Sequence, residues 1–113
     1  MKIGVLRCVL HIPQAGSLKD KRQVIRSLRD RLFSRFNVSV TEVDQNDKWQ
    51  RATLGIATVS RDAKGAAAYL HEIEEFVRAH PGAQVVDLES AVEDFEEAGY
   101  GDAQGWSPNY DDE

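Results

Sequence analysis

The stretch from residue 17 to 36 constrains the fold more than any other part of this chain. Its apolar residues recur three or four positions apart, which is the spacing of one face of an α-helix. They are Leu18, Val24, Ile25, Leu28, Leu32 and Phe36. Ser17 is a favourable N-cap, and Asp20 stands where a capping box would place its acid. The pattern predicts an amphipathic helix that packs its apolar face on a core.

The same stretch is strongly basic, with seven Lys or Arg residues against two Asp residues. Four of these cations are expected in a stripe beside the apolar face: Lys19, Arg22, Arg26 and Arg29. The other three are expected along the opposite flank: Lys21, Arg31 and Arg35. Cations aligned on a helix can neutralise the phosphates of a nucleic acid and bind it in a salt-sensitive way. The alternative is an ordinary solvated helix face.

The net charge of −5 conceals two regions of opposite sign. Residues 1–92 hold all 14 Lys and Arg residues and 11 of the acids, whereas residues 93–113 hold eight acids and no base. The whole-chain charge is therefore a poor guide to nucleic-acid binding. We predict a folded domain over 1–92 and a flexible acidic tail over 93–113. Three alternatives stand for the tail: it serves solubility, it competes for the basic helix, or Trp106 and Tyr110 anchor it in a groove.

Apolar alternation and turn signals complete the pattern of predicted elements. Strands are expected at 2–12, 38–43, 49–60 and 85–88, and a second helix is expected from Ser60 or Asp62 to about His80. The order β-α-β-β-α-β is typical of a ferredoxin-like sandwich, an α+β fold with a four-stranded antiparallel sheet and two helices on one face. No apolar run approaches the ~20 residues of a membrane helix, and the chain has one cysteine. We therefore expect a cytoplasmic protein with no membrane partner.

The first strand shows which sheet face meets the helices. Leu6, Cys8, Leu10 and Ile12 are expected in the core, which leaves the other face uncovered. That open face would carry aliphatic residues that suit a protein partner or a homodimer: Ile3, Val5, Val9, Ala57 and Val59. It lacks the aromatics on which RNA-recognition motifs stack bases.

Trp49 is a second candidate for nucleic-acid contact. It could stack on a base while Arg51 holds a phosphate. The alternative is a tryptophan that closes the core at a strand end. Catalysis finds little support, because Cys8 is expected to be buried and the three histidines lack metal-site spacing. The sequence thus predicts no catalytic residue, no metal and no cofactor.

Several segments resemble the YlxP-like family of small bacterial proteins. They are IGVL at 3–6, HIP at 11–13, SLKDKR at 17–22, RFNVSV at 35–40 and WQRA at 49–52. The resemblance covers about residues 1–90 and implies a ferredoxin-like fold in a bacterial cytoplasmic protein of unknown function. It also implies a gene setting among transcription and translation factors, and it brings no catalytic residues.

Three functions follow as hypotheses from the residues and the resemblance. The first is an accessory protein that binds RNA or ribosomal particles through the helix stripe, with Trp49 and Arg51 as auxiliary contacts. The second is a protein-protein module, or a homodimer, that uses the open sheet face. The third is a small-molecule enzyme of unknown chemistry. Binding that weakens steeply with salt would distinguish the first from the second.

Overall fold

Six elements follow one another in the predicted order β-α-β-β-α-β. The computed structural model describes residues 1–44 and 48–95. The elements are β1 (Lys2–His11), α1 (Leu18–Arg35), β2 (Ser39–Asp44), β3 (Arg51–Ser60), α2 (Ala63–Arg78) and β4 (Gln84–Asp94). Together they form the expected ferredoxin-like α+β sandwich.

The four strands form one antiparallel sheet in the order β2-β3-β1-β4. β1 and β3 are therefore central, and β2 and β4 are the edges. Leu6 of β1 stands opposite Ile56 of β3 on one side and Ser90 of β4 on the other. The helix α1 packs on β2 and β3, while α2 packs on β1, β3 and β4. The two helices thus lie side by side, with α1 nearer the β2 edge.

One sheet face and the two helices enclose the core. Leu6, Cys8, Leu10 and Ile12 are buried there, as the alternation of β1 predicts. The helices contribute buried side chains at helical spacing: Ile25, Leu28 and Leu32 from α1, and Leu70, Ile73 and Val77 from α2. Burial of a side chain of this size contributes about 1.5–3 kcal/mol.

Both ends of α1 are fixed by named contacts. The hydroxyl of Ser17 accepts a hydrogen bond from the backbone N–H of Asp20 at 3.1 Å, which confirms the N-cap. The carboxylate of Asp20 accepts from the backbone N–H of Gly16 at 2.9 Å, one residue before the donor of a standard capping box. At the other end, the Phe36 ring meets Tyr69 and Phe76 of α2 edge to face, with centroids 5.6 and 5.5 Å apart. These rings join α1 to α2.

The fourth strand is longer than the sequence predicts. It continues beyond residue 88 to Asp94, two residues past the predicted end of the domain at residue 92. Leu88, Ser90 and Val92 stand opposite core-facing positions of β1. Asp87, Glu89 and Glu93, which stand beside these residues in the sequence, hid this alternation. The remaining predictions about the tail, including those for Trp106 and Tyr110, lie outside the described residues. In the part of the chain that is described, no helix is both long and apolar enough to cross a membrane.

Candidate nucleic-acid interface

The predicted basic stripe is present on α1 and open to solvent. Lys19, Arg22, Arg26 and Arg29 are all exposed. Within residues 1–44 and 48–95, none of the four forms an ion pair or a side-chain hydrogen bond. Ten residues of helix separate the first cation from the last, a rise of about 15 Å. The structure therefore brings these four predicted residues together as one accessible row.

Contacts on the opposite flank of α1 fix the direction in which the stripe faces. The guanidinium of Arg35 lies 5.4 Å from the centroid of the Phe76 ring on α2. Val24, on the same flank, packs against Gly82 in the loop between α2 and β4. The stripe lies about halfway round the helix from Val24. It therefore faces away from α2, on the side of the edge strand β2.

The sequence analysis expected Lys21 on the flank of α1 opposite the stripe. Lys21 is instead buried, with 4% of its side chain exposed. Its ammonium lies 3.3 Å from Oε2 of Glu42 on β2 and donates a hydrogen bond to the Lys48 carbonyl at 3.3 Å. Position 21 is three residues after Leu18 and four before Ile25, so it belongs to the apolar face. That spacing was the signal that could have identified it.

The predicted auxiliary residues lie in and just after the turn that Lys21 holds. Trp49 precedes β3 and is 48% exposed, so it does not close the core. The side chain of Gln50 donates to the carbonyls of Pro13 and Ala15, at 3.3 and 3.2 Å, in the loop that leads into α1. A shallow cavity of about 400 Å³ is lined by His11 of β1, by Lys48, Trp49 and Gln50 of this turn, and by Arg51 at the start of β3. Trp49 and Arg51 thus lie at the end of the molecule where α1 begins.

A fifth residue, Phe33, continues the basic stripe and was missed by the sequence analysis. It follows Arg29 by four positions, the spacing at which helical side chains are neighbours. Its side chain is 48% exposed. The series 22, 26, 29 and 33 has the same spacing as the apolar face. That periodicity could have placed Phe33 with the cations.

The open sheet face is partly as predicted. Val5 and Val59 are exposed, at 38% and 63%, and Ile3 and Ala57 are half-buried. Val9 was expected to be exposed there, but it is only 5% exposed. Val9 stands between Thr53 of β3, itself 7% exposed, and Asp87 of β4, whereas Val5 on the same strand stands between the smaller side chains of Ala57 and Ala91. The exposed aliphatic patch is therefore smaller than the sequence suggested.

A groove of about 520 Å³ crosses this open face, over all four strands. Apolar side chains of three strands line much of it: Val5 of β1, Val43 of β2, and Ala57 of β3. At the β4 side, Arg7 forms exposed ion pairs with Asp87 and Glu89, at 3.5 and 3.3 Å. This surface suits an apolar partner better than an anion.

Burial leaves the Cys8 thiol poorly placed to act as a nucleophile. Cys8 is fully buried, and that burial, together with the charge of Glu74, raises the pKa of its thiol to about 11. A thiol with this pKa is protonated at neutral pH and is not a nucleophile. The described residues contain no group of three or more His, Cys, Asp or Glu side chains that could hold a metal ion.

Comparisons with known proteins give a family and a fold likeness. The family model described as "Protein of unknown function (DUF503)" matches residues 3–90. The uncharacterized protein YlxP of Bacillus subtilis is 38% identical over 79 residues, which cover 70% of this chain and 86% of that protein.

Two solved structures are similar at a lower level. The cofactor-independent oxygenase SnoaB of Streptomyces nogalater aligns with a TM-score of 0.45 and 11% identity, over 84% of this chain and 93% of its own. A de novo designed protein with a ferredoxin fold aligns with a TM-score of 0.39 and 14% identity, over 95% and 92%. Neither likeness bears on function.

Proposed function

This chain belongs to the DUF503 family, and we propose that it is an accessory protein that binds RNA, alone or in ribosomal particles, through the basic stripe of α1. One observation carries the proposal: the four cations of the stripe are exposed, aligned and without acidic partners among the described residues. By contrast, Lys21 on the same helix is buried and paired with Glu42. The stripe is therefore a surface on which a polyanion would find uncompensated positive charge.

Electrostatics favours a phosphate backbone as the ligand of this row. Cations three or four residues apart repel one another, and a polyanion relieves that repulsion while releasing its own counterions. If all four contact phosphates, the slope of log K against log salt concentration should be about −3 for a single strand. Trp49 and Arg51 would add contacts near the start of α1.

Charge reversal within the stripe tests the proposal. We expect Arg22→Glu with Arg26→Glu to weaken binding of ribosomal RNA at low salt by about a hundredfold or more, since two attractions become repulsions. The matched control is Arg61→Glu with Lys64→Glu, which makes the same change in net charge at exposed positions at the start of α2. Equal losses in the two variants would mean that net charge, not the stripe, governs binding, and would contradict the proposal.

A second candidate function rests on the groove across the open sheet face. Its apolar lining, with Val5 and Val59 exposed nearby, suits a protein partner or a second copy of the chain. Sedimentation of the wild-type chain and of Val5→Lys tests the homodimer. A dimer that Val5→Lys dissociates, and that persists in high salt, supports it; a wild-type monomer at about 0.1 mM excludes an ordinary stable dimer.

We also propose that the protein acts in the cytoplasm by binding rather than by catalysis. The buried, protonated thiol of Cys8 supports this proposal, because it is the nucleophile that the sequence would offer. A hydrolytic or transfer activity of the purified wild-type chain, whether or not it survives replacement of Cys8 by Ala, would contradict it.

A further inference from the structure

Phe33 is an exposed aromatic ring at the end of a row of cations. About half of its surface is open, although it lies in the middle of the last two turns of α1. Neighbouring aromatic residues are used by the fold: Phe36 packs against Tyr69 and Phe76. Among the described residues, the Phe33 ring has no aromatic or cation–π partner. Among these residues, the packing of α1 therefore does not use the Phe33 ring in an aromatic or cation–π contact.

The position of Phe33 matters more than its exposure. Single exposed apolar side chains are common on protein surfaces. Phe33, however, shares its helix flank with Arg26 and Arg29 and faces away from α2 as they do. A ligand that follows the cations toward the end of α1 therefore reaches the ring.

We infer that Phe33 is a stacking platform for an unpaired base, and that the RNA bound by the stripe is single-stranded. This inference rests on the proposed function and narrows its ligand. An aromatic ring can stack on any base whose face is accessible, which makes the contact tolerant of sequence. In a duplex the base faces are covered by their neighbours, and the major groove of A-form RNA is too deep and narrow for side chains to read. A duplex would use the cations and leave Phe33 in water.

The dimensions of α1 suit a short single strand. From Lys19 to Phe33 the helix rises about 21 Å, which accommodates at most about six nucleotides of a stacked strand. Trp49, a second exposed ring among the described residues, lies in the turn that is held at the start of α1. Exposed aromatic rings therefore lie near both ends of α1.

Three ligands distinguish binding by base stacking from binding by charge alone. They are an unstructured single-stranded RNA of about ten nucleotides, the corresponding duplex, and inorganic polyphosphate, which has charge and no bases. Affinities are measured by fluorescence anisotropy for the two RNAs and by competition for polyphosphate. The variants of the full chain are Phe33→Leu, which stays apolar without a ring, and Phe33→Trp, which restores one. Val86→Ala, at an exposed apolar position on β4, is the control.

We expect the wild-type chain to prefer the single strand to the duplex. Phe33→Leu should weaken single-strand binding by about 5- to 150-fold, the range measured for the loss of one stacked base, and should leave polyphosphate binding unchanged. Phe33→Trp should keep wild-type affinity, and Val86→Ala should change nothing. Since Phe33 is exposed, these variants should fold, which circular dichroism checks.

Two results would overturn the inference: unchanged single-strand affinity in Phe33→Leu, or equal losses for RNA and polyphosphate. If Arg22→Glu with Arg26→Glu still abolishes binding in either case, the proposed function stands and the base-stacking role is wrong. If that charge reversal has no effect on any of the three ligands, the proposed function itself fails, and the inference fails with it.

Discussion

The ammonium nitrogen of Lys21 lies 3.3 Å from Oε2 of Glu42, and 96% of the lysine side chain is removed from solvent. The same Oε2 accepts no hydrogen bond within the described residues, so the attraction is that of an ion pair alone. A buried charge is tolerated only when its lost hydration is compensated. Here Glu42 and the Lys48 carbonyl supply the compensation, and in doing so they fix α1 to the β2–β3 hairpin.

The first prediction concerns this pair. We expect Lys21→Met to lower the free energy of unfolding by about 2–3 kcal/mol, because it leaves the mostly buried Glu42 carboxylate unpaired. Urea denaturation measures the change. The control Lys19→Met removes an exposed cation two residues earlier and should change stability by less than about 0.5 kcal/mol. Adding Glu42→Leu to Lys21→Met should recover much of the loss. A double variant no more stable than Lys21→Met would contradict the ion-pair explanation.

The second prediction concerns Gly55, in the groove of the open sheet face. A Cβ at this position would lie 2.7 Å from Cγ1 of Val43, which is closer than real atoms approach. We expect Gly55→Ala to destabilise the fold by about 1–3 kcal/mol, as overpacking does. Val43→Ala in the same chain should remove the clash and restore most of the stability. Gly16→Ala, where the nearest atom would be an ordinary 3.5 Å away, is the control.

The third prediction uses the raised pKa of Cys8. Because burial raises this pKa from 9.0 to about 11, the thiol of the folded chain should react with a disulfide reagent far more slowly than that of the chain unfolded in urea. The rate at pH about 8, followed by the absorbance of the released thiolate, measures this. Equal rates in the two states would show that Cys8 is accessible in the fold.

The fourth prediction concerns the dependence of stability on pH. Burial, with a smaller contribution from the charge of Arg31, lowers the pKa of His80 below its ordinary value of 6.5. In the window below 6.5 the unfolded chain therefore binds a proton that the folded chain does not, so stability falls as the pH is lowered. The slope of unfolding free energy against pH, between about 7 and 5, should be smaller in His80→Gln. An equal slope in His80→Gln and in the wild-type chain would contradict this prediction.

Periodicity was sufficient to predict the element order and the core face of β1, since each depends on a regular alternation of apolar and polar residues. Periodicity failed where the type of a residue is not the type that its position usually holds. Lys21 occupies an apolar-face position, and only the placement of Glu42 on the neighbouring strand explains how a charge can be buried there. Val9 is buried between Thr53 and Asp87, and these neighbours depend on strand order and register. The acids of β4 obscured an alternation that the register with β1 makes plain.

The candidate site was also predicted only in part from the sequence. The four cations were predictable because they share one helix flank. The exposure of Trp49 was not, because it depends on how the hairpin turn meets the loop before α1. Phe33 was overlooked because it lies off the apolar face that the periodicity defined, and the stripe was identified from its charges alone.

Because the helices lie side by side, the charges of the domain are distributed unevenly between its two sheet edges. The stripe of α1 stands toward the β2 edge, whereas the opposite edge is β4, whose four acids outnumber the two β1 cations, Lys2 and Arg7, that pair with three of them. Such a separation gives the molecule a dipole, and the field of a polyanion exerts a torque on it before contact. The domain would therefore approach the polyanion with α1 turned toward it and β4 turned away. Orientation during diffusion, rather than contact area, would then set how often an encounter becomes a complex.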